Sequence, residues 1–162
     1  MFHLGTQCCS WSRARDRPGG SPPLQSDYCL LGFPDLRPGD RERARQGNVF
    51  AHFTSALLKL AHTLHVPVTL ENHMMSRLWL VPVVWVASDR GSSVVLDMCQ
   101  YGTTWLKPTR LLGVGGADVA QLERHCAFSF HHCKGLCSRT HKPHQPLNGC
   151  ISKGVVGTSL AQ

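Results

Sequence analysis

The sequence is poor in acid and has no long apolar run. Ten Asp and Glu stand against 17 Lys and Arg, giving a formal charge of +7 with the ten histidines neutral. No stretch approaches the roughly 18–20 consecutive apolar residues that a membrane span needs. The N-terminus, MFHLGTQCCSWSRAR, lacks the apolar core of a signal peptide. Membrane insertion and export are therefore not expected, and an intracellular, reducing location is. There the eight cysteines serve as thiols or metal ligands rather than disulfides. No internal repeat is present. Charged residues make up 17% against 42% hydrophobic, which argues against wholesale disorder and suits one domain with a real core, or a fragment of a larger one. The basic balance favours a polyanionic partner, nucleic acid above all, or serves solubility alone.

Residues 1–47 are rich in Arg, Pro and Gly and hold no sustained hydrophobic period. They read as a short strand over Phe2–Leu4 and a long loop carrying Cys8, Ser10, Ser12 and Arg13, with ERARQ forming one helical turn. Loops this long are usually functional lids or disordered segments. A helix is then expected from an Asn48 N-cap to His65. Val49, Phe50, Phe53, Leu57, Leu60, Ala61 and Leu64 mark its core face, and His52, Ser55, Lys59 and His62 its outer face. Pro67 ends it.

Val66–Leu70 reads as a buried strand that delivers Glu71 and Asn72 to its carboxyl end, where open α/β sheets bind ligands. An apolar segment, Ser76–Trp79, runs to Pro82. Ser92–Val114 has an apolar strand (Val94, Val95, Leu96), a polar corner (Asp97, Cys99, Gln100), a Tyr101-Gly102 turn, and a basic hairpin with Lys107 and Arg110 leading to Leu111 and Leu112. Ala117–Cys126 reads as one more helix, with Val119, Leu122 and Cys126 on a face. The alternation predicts an α/β fold with a largely parallel sheet. It spans residues 1–116, and residues 117–162 form a helix plus an irregular Cys/His-rich tail.

Three stretches, in this order, resemble later blocks of the cytosine-C5 DNA methyltransferases. Gly5-Thr6-Gln7-Cys8-Cys9-Ser10-Trp11-Ser12 is similar to the family's Pro-Cys-Gln-x-Phe-Ser loop, Leu70-Glu71-Asn72 to its Glu-Asn-Val block, and Tyr101-Gly102 with Lys107 and Arg110 to its Tyr-Gly-x-Pro-Gln-x-Arg-x-Arg block. The chain looks closer still to divergent methyltransferase-like proteins of protist genomes and mobile elements. The stretches that carry this are Ser12-Arg13-Ala14-Arg15, Asn72 to Trp79, Tyr101 to Thr109, and a tail running from Cys137 to His144 and Gly149. The resemblance implies a partial Rossmann-like methyltransferase sheet in which residues 1–47 are mostly the catalytic-type loop.

It also implies roles. Cys8 is the thiolate that adds to C6 of cytosine, and Glu71 bonds N3 and the exocyclic amine. Lys107 or Arg110 places charge at the base carbonyl or a phosphate, while Asn72, Tyr101 and Gly102 support the loops. Ser12, Arg13, Arg15 and Arg17 hold the nucleic-acid backbone while the base leaves the duplex. DNA is then the expected partner and the nucleus the expected location. The methyl donor of such enzymes is S-adenosylmethionine, and the block that binds it is missing from this sequence. Gln7 stands where the family has Pro, His73 where the subgroup has Pro, and Cys9 adds a second thiol. The expectation is an incomplete or decayed copy, inactive alone. The alternative is a non-catalytic basic nucleic-acid-binding module from a mobile element.

Cys126, Cys133, Cys137, His141, His144 and Cys150 follow one another as C-x6-C-x3-C-x3-H-x2-H-x5-C. Zinc requires four such ligands in a tetrahedron. There is no paired C-x2-C knuckle. Cys126, Cys137 and His144, which also match the subgroup's tail, are the expected ligands.

Overall fold

The computed structural model describes residues 1–16, 21–127, 136–145, 149–152 and 155–158, the last two segments by backbone only. The chain runs through strand β1 (Phe2–Gly5), a 3-10 turn (Arg13–Asp16), helix α1 (Pro38–Thr63) and strand β2 (Val68–His73). A second 3-10 turn (Arg77–Leu80), helix α2 (Pro82–Ser88), strand β3 (Ser92–Asp97), a third turn (Met98–Tyr101) and strand β4 (Pro108–Val114) follow. Last come a turn at Ala120–Leu122 and strands β5 (Gly149–Ser152) and β6 (Val155–Thr158).

The first four strands form one sheet in the order β1-β2-β4-β3. Only β1 and β2 pair parallel; β4 lies between β2 and β3 and runs antiparallel to both. The expected mostly parallel, Rossmann-like sheet is therefore wrong: the sheet is mixed, and the described residues form two α-helices. The cause lies in the connection. Residues 98–107, which join β3 to β4, hold a single 3-10 turn and no crossover helix, so the two strands pair as antiparallel neighbours. Strands β5 and β6 form a separate antiparallel ribbon.

Helix α1 begins eleven residues earlier than the apolar periodicity suggested. Pro38 occupies its first turn with Asp40, where a missing N–H costs nothing and a carboxylate meets the helix dipole. Ion pairs Asp40–Arg43 and Glu42–Arg45, each at i,i+3, line its polar start. Asn48 is interior and donates from Nδ2 to the Leu31 carbonyl at 2.7 Å. His65 adopts φ 52° just past the helix end, and Pro67 prevents resumption.

The buried face of α1 is also not the expected one. Ala44, Gly47, Ala51, Thr54, Ser55, Leu58 and Ala61 point inward, whereas Val49, Phe50, Phe53, Leu60 and Leu64 are exposed. Small residues let the helix approach its neighbours closely: Ser55 Oγ donates to the Val83 carbonyl of α2 at 2.6 Å. At Gly47 an added Cβ would stand 2.1 Å from Ser10 Oγ. Periodicity identifies an apolar stripe, but the neighbours decide which stripe they cover.

One face of the sheet, with Leu70, Leu112 and Val114, packs with Leu58, Leu78, Trp79 and Val84 in the main core. Each large side chain so buried contributes about 1.5–3 kcal/mol. The opposite face of β3 and β4 is crossed by residues 115–122, where Val119 is buried, Ser92 Oγ donates to the Ala117 carbonyl and the Val119 N–H donates to Ser92 Oγ. The helix expected over Ala117–Cys126 is instead this extended cover with its one 3-10 turn.

The N-terminal loop is packed. Trp11 and Leu24 are buried, and the Arg77 N–H donates to the Trp11 carbonyl at 3.0 Å. Arg77, itself buried, spans two aspartates: Nη1 and Nη2 reach Asp16 at 3.2 and 2.7 Å, and Nε reaches Asp27 at 3.0 Å. A charge in this position requires full pairing, and the pairing ties both halves of the loop to one residue. Among the described residues no helix is long and apolar enough to cross a membrane.

Candidate functional site

Parallel pairing of β1 with β2 sets Gly5 opposite Glu71, so the chain leaves β1 beside the carboxyl end of β2. The exit is pinned by Asn72, whose Nδ2 donates to the Thr6 carbonyl at 2.9 Å, while Thr6 Oγ1 meets Thr54 Oγ1 of α1 at 2.7 Å. Cys8 follows two residues later. Because β4 is antiparallel to β2, its start brings Lys107 to the same place: Lys107 Nζ lies 3.0 Å from Glu71 Oε1, with both side chains partly buried. Met74 N donates to the Pro108 carbonyl and holds the two elements in register.

Cys8, Glu71 and Lys107 thus share one end of the sheet, near enough that both charges act on the thiol. The Cys8 side chain is exposed as a whole. Even so, the protein around its sulfur desolvates it and, with Cys9, raises its pKa above the ordinary thiol value; Lys107 opposes and Glu71 reinforces this rise. At neutral pH Cys8 is a thiol. His73, which the sequence reading set aside as a departure, belongs to the same corner: burial, then Lys107, push its pKa down. Its Nδ1 accepts the Met75 N–H, and its carbonyl accepts from Trp79 Nε1.

Arg110 is placed elsewhere. It pairs in register with Asn72, one residue out of phase with Glu71, and so stands on the opposite face of the sheet. There its guanidinium lies 4.8 Å from the Trp79 ring centroid and its Nε donates to Ser93 Oγ. Desolvation lowers its pKa. Ser12 Oγ accepts the Ala14 N–H and starts the Arg13–Asp16 turn. Arg13 bonds the Met75 carbonyl and Asp27, and Arg15 bonds the Pro22 carbonyl. Arg17 lies outside the described residues. Tyr101 donates to the Leu122 carbonyl and stacks under Arg124 at 5.4 Å. Gly102 takes φ 109° to close its turn, a conformation suited to glycine.

A second cluster lies beyond the same link. Cys99, Cys126, Cys137 and His144 bring their ligand atoms within 4.8 Å of one another, the three cysteines buried and the histidine partly so. This Cys3His group can hold a metal ion. Three of its members are the residues expected from the tail. The fourth, Cys99, comes from the turn after β3 and was missed because it precedes the tail by 27 residues; a lone Cys in a polar strand end was its one signal. Cys133 and the Cys150 side chain lie outside the described residues, and His141 is exposed with φ 54°.

Two of the thiols are pushed in opposite directions. Burial pushes Cys99 up to about 12, with the neighbouring Cys126 and Cys137 adding to the rise. Burial also acts to raise Cys137, but backbone N–H groups of Thr140 and Arg139, the Thr140 side chain and His144 bring it down to about 6. Cys126 Sγ accepts from Ser138 N at 3.3 Å and faces His144 Nε2 at 3.7 Å. The donors around Cys137 stabilise the anionic form that metals bind.

A separate cleft, with His62, His65 and Arg90 beside the Gly113–Asp118 turn, holds about 400 Å³. It includes none of the residues singled out above.

No family model, curated protein or solved structure matches this chain.

Proposed function

We propose that the Cys8–Glu71–Lys107 corner is the base-binding half of a cytosine-C5 DNA methyltransferase-like site. The reading rests on one observation: Asn72 pins the loop that carries Cys8 to the strand end that carries the Glu71–Lys107 ion pair. The pair is the resting state of the pocket. A cytosine turned out of its strand donates its exocyclic amine to Glu71, which takes up a proton from solvent and donates it to the ring N3, while the base carbonyl accepts from Lys107, so that each member exchanges its partner for a complementary edge of the base. Cys8 then faces C6. Addition forms the S–C6 bond, the C5=C6 electron pair moves toward C5, and the thiol proton goes to solvent. The raised pKa of Cys8 makes this step slow at neutral pH.

The chain binds and orients the base but is inactive alone. The glycine-rich turn after β4 lies in the separate cleft with His62 and Arg90 and not at this corner, and no step is assigned to S-adenosylmethionine. A duplex with one abasic position in place of cytosine is the test. Wild-type protein binds the cytosine duplex at least fivefold more tightly, and Glu71→Ala removes the difference. Equal binding of both duplexes by wild type would refute a cytosine pocket.

A second reading is a non-catalytic nucleic-acid-binding module whose tail is held by zinc, favoured by the Cys3His group and the +7 charge. Three thiolates and one imidazole form a soft donor set that suits zinc and not magnesium or calcium. Under this reading affinity falls steeply with salt and is indifferent to Glu71→Ala.

A further inference from the structure

We propose that a zinc ion bound by Cys99, Cys126, Cys137 and His144 acts as a clasp that positions Lys107 against Glu71, so that metal occupancy sets the state of the proposed base pocket. The metal site stands by itself, whereas its regulatory meaning rests on the pocket reading above.

The site has the features of a closed structural centre. A tetrahedron with Zn–S near 2.3 Å separates its sulfurs by about 3.8 Å, and the four ligand atoms already lie within 4.8 Å of one another. All three cysteines are buried, and Leu106 packs against them. Gln100 Nε2 points at the sulfurs of Cys99 and Cys137, 3.6 and 3.9 Å away. Ser138 covers Cys126 from its N–H and its hydroxyl. Binding converts each remaining thiol to a thiolate, its proton leaving to solvent, and forms three Zn–S bonds and one Zn–N bond.

The link to the pocket runs through residues 98–107. Cys99 lies in the turn at one end of this segment, and Leu106, beside Lys107, touches the thiol cluster at the other. Met98 N donates to the Lys107 carbonyl at 3.2 Å, and Thr109 Oγ1 donates to the same oxygen. The tail grips the segment at two further points. Arg139 Nε donates to the Cys99 carbonyl at 2.8 Å, while Thr104 and Gln145 exchange a backbone and a side-chain bond at 2.9 and 2.7 Å. Cys126 N also donates to Asp97 Oδ2 at the end of β3, at 2.7 Å. Three ligands on the tail side of this seam and one on the segment side make the ion a cross-link between them. Without it, the segment keeps its hydrogen bonds to the tail and its place at the start of β4, and the partly buried Lys107 side chain is held less firmly against Glu71.

The test needs no nucleic acid. Purified chain is assayed for metal, substituted with cobalt, and compared with chelated chain and with Cys137→Ser. Alkylation of Cys8 is followed against pH by peptide mass spectrometry, since Lys107 opposes the rise in the Cys8 pKa. One zinc per chain, a tetrahedral cobalt–thiolate spectrum, and an alkylation profile that moves to higher pH on metal removal are expected. The upward shift matches that of Lys107→Ala and is absent when metal is removed from Lys107→Ala. His144→Cys, which keeps four ligands, restores the wild-type profile. Absence of bound metal, or a profile that does not move, would overturn the proposal. So would a shift to lower pH, because global unfolding returns Cys8 to the ordinary thiol range. Loss of cytosine preference with the clasp intact would sink the pocket reading alone.

Discussion

Replacing Arg77 with methionine keeps the length of the side chain and deletes its charge. The change removes three charge-assisted hydrogen bonds, two to Asp16 and one to Asp27. In a dry interior each would count about 1.5–3 kcal/mol. Arg77 is 6% exposed, but the side chains of Asp16 and Asp27 are 37% and 41% exposed, so water rehydrates both carboxylates and the sum must be discounted. Asp27 also keeps Arg13. A net loss of about 2–3 kcal/mol remains, which for a urea slope of about 1.5–2 kcal/mol/M lowers the midpoint by about 1–2 M.

The pH dependence of that loss carries its own sign. Hydrogen bonds from Arg13 and Arg77 hold the Asp27 carboxyl below its ordinary 3.8. A depressed folded pKa gives stability that is present above the unfolded value and lost as pH falls through the folded one. The gap between wild type and Arg77→Met therefore narrows as the pH falls below about 4. Equilibrium urea unfolding at pH 7 and at stepped acid pH measures both. A midpoint shift below about 0.3 M at an unchanged slope, or an equal gap at every pH, would refute the claim that Arg77 anchors the N-terminal loop.

Two shorter predictions concern α1. Gly47→Ala gains helix propensity of about 0.8–1 kcal/mol but drives a methyl group into Ser10 Oγ. The loop carrying Cys8 then shifts, and faster alkylation of Cys8 without a rise in melting temperature reports it; Gly47→Ala with Ser10→Gly restores the wild-type rate and melts higher. Leu60→Lys on the exposed stripe changes stability by less than about 0.5 kcal/mol and lowers aggregation at high protein concentration by light scattering. A loss of several kcal/mol would mean that this face is buried.

The sequence was informative where chemistry is local. Phe2–Leu4 read as a strand and Ser92–Val114 as two strands around a basic corner, each from neighbouring residues, while the match to the subgroup's tail picked out Cys126, Cys137 and His144, which the fold brings together. It misled where neighbours decide. The stripe Val49–Leu64 has helical spacing, and its Ala61 does face inward, yet the covered face of α1 is made of small residues and Leu58, so Ala51 is buried and Phe53 is not. The direction of β4 depends on the 98–107 link, which no periodicity encodes. Ala117–Cys126 has helix-compatible spacing, but Gly115 and Gly116 at positive φ send it extended across the sheet. Cys99 lies 27 positions from Cys126, and Asp16 and Asp27 lie 61 and 50 positions from Arg77. Their roles exist only in the folded chain.

The central claim is that a cytosine enters between Glu71 and Lys107 with its C6 against Cys8. A strand carrying one 5-azacytosine tests it, because the ring nitrogen in place of C5 accepts the electron pair when a thiolate adds at C6 and then takes up a proton, leaving a stable adduct without any methyl donor. Intact-mass and peptide mapping after incubation between pH 7 and 10 should find one oligonucleotide per chain, attached at Cys8. Its rate should rise with pH as the thiol ionises, persist in Cys9→Ser, and be lost in Cys8→Ser and Glu71→Ala. Attachment at Cys9, or no adduct at any pH at which the protein stays folded, would contradict the account.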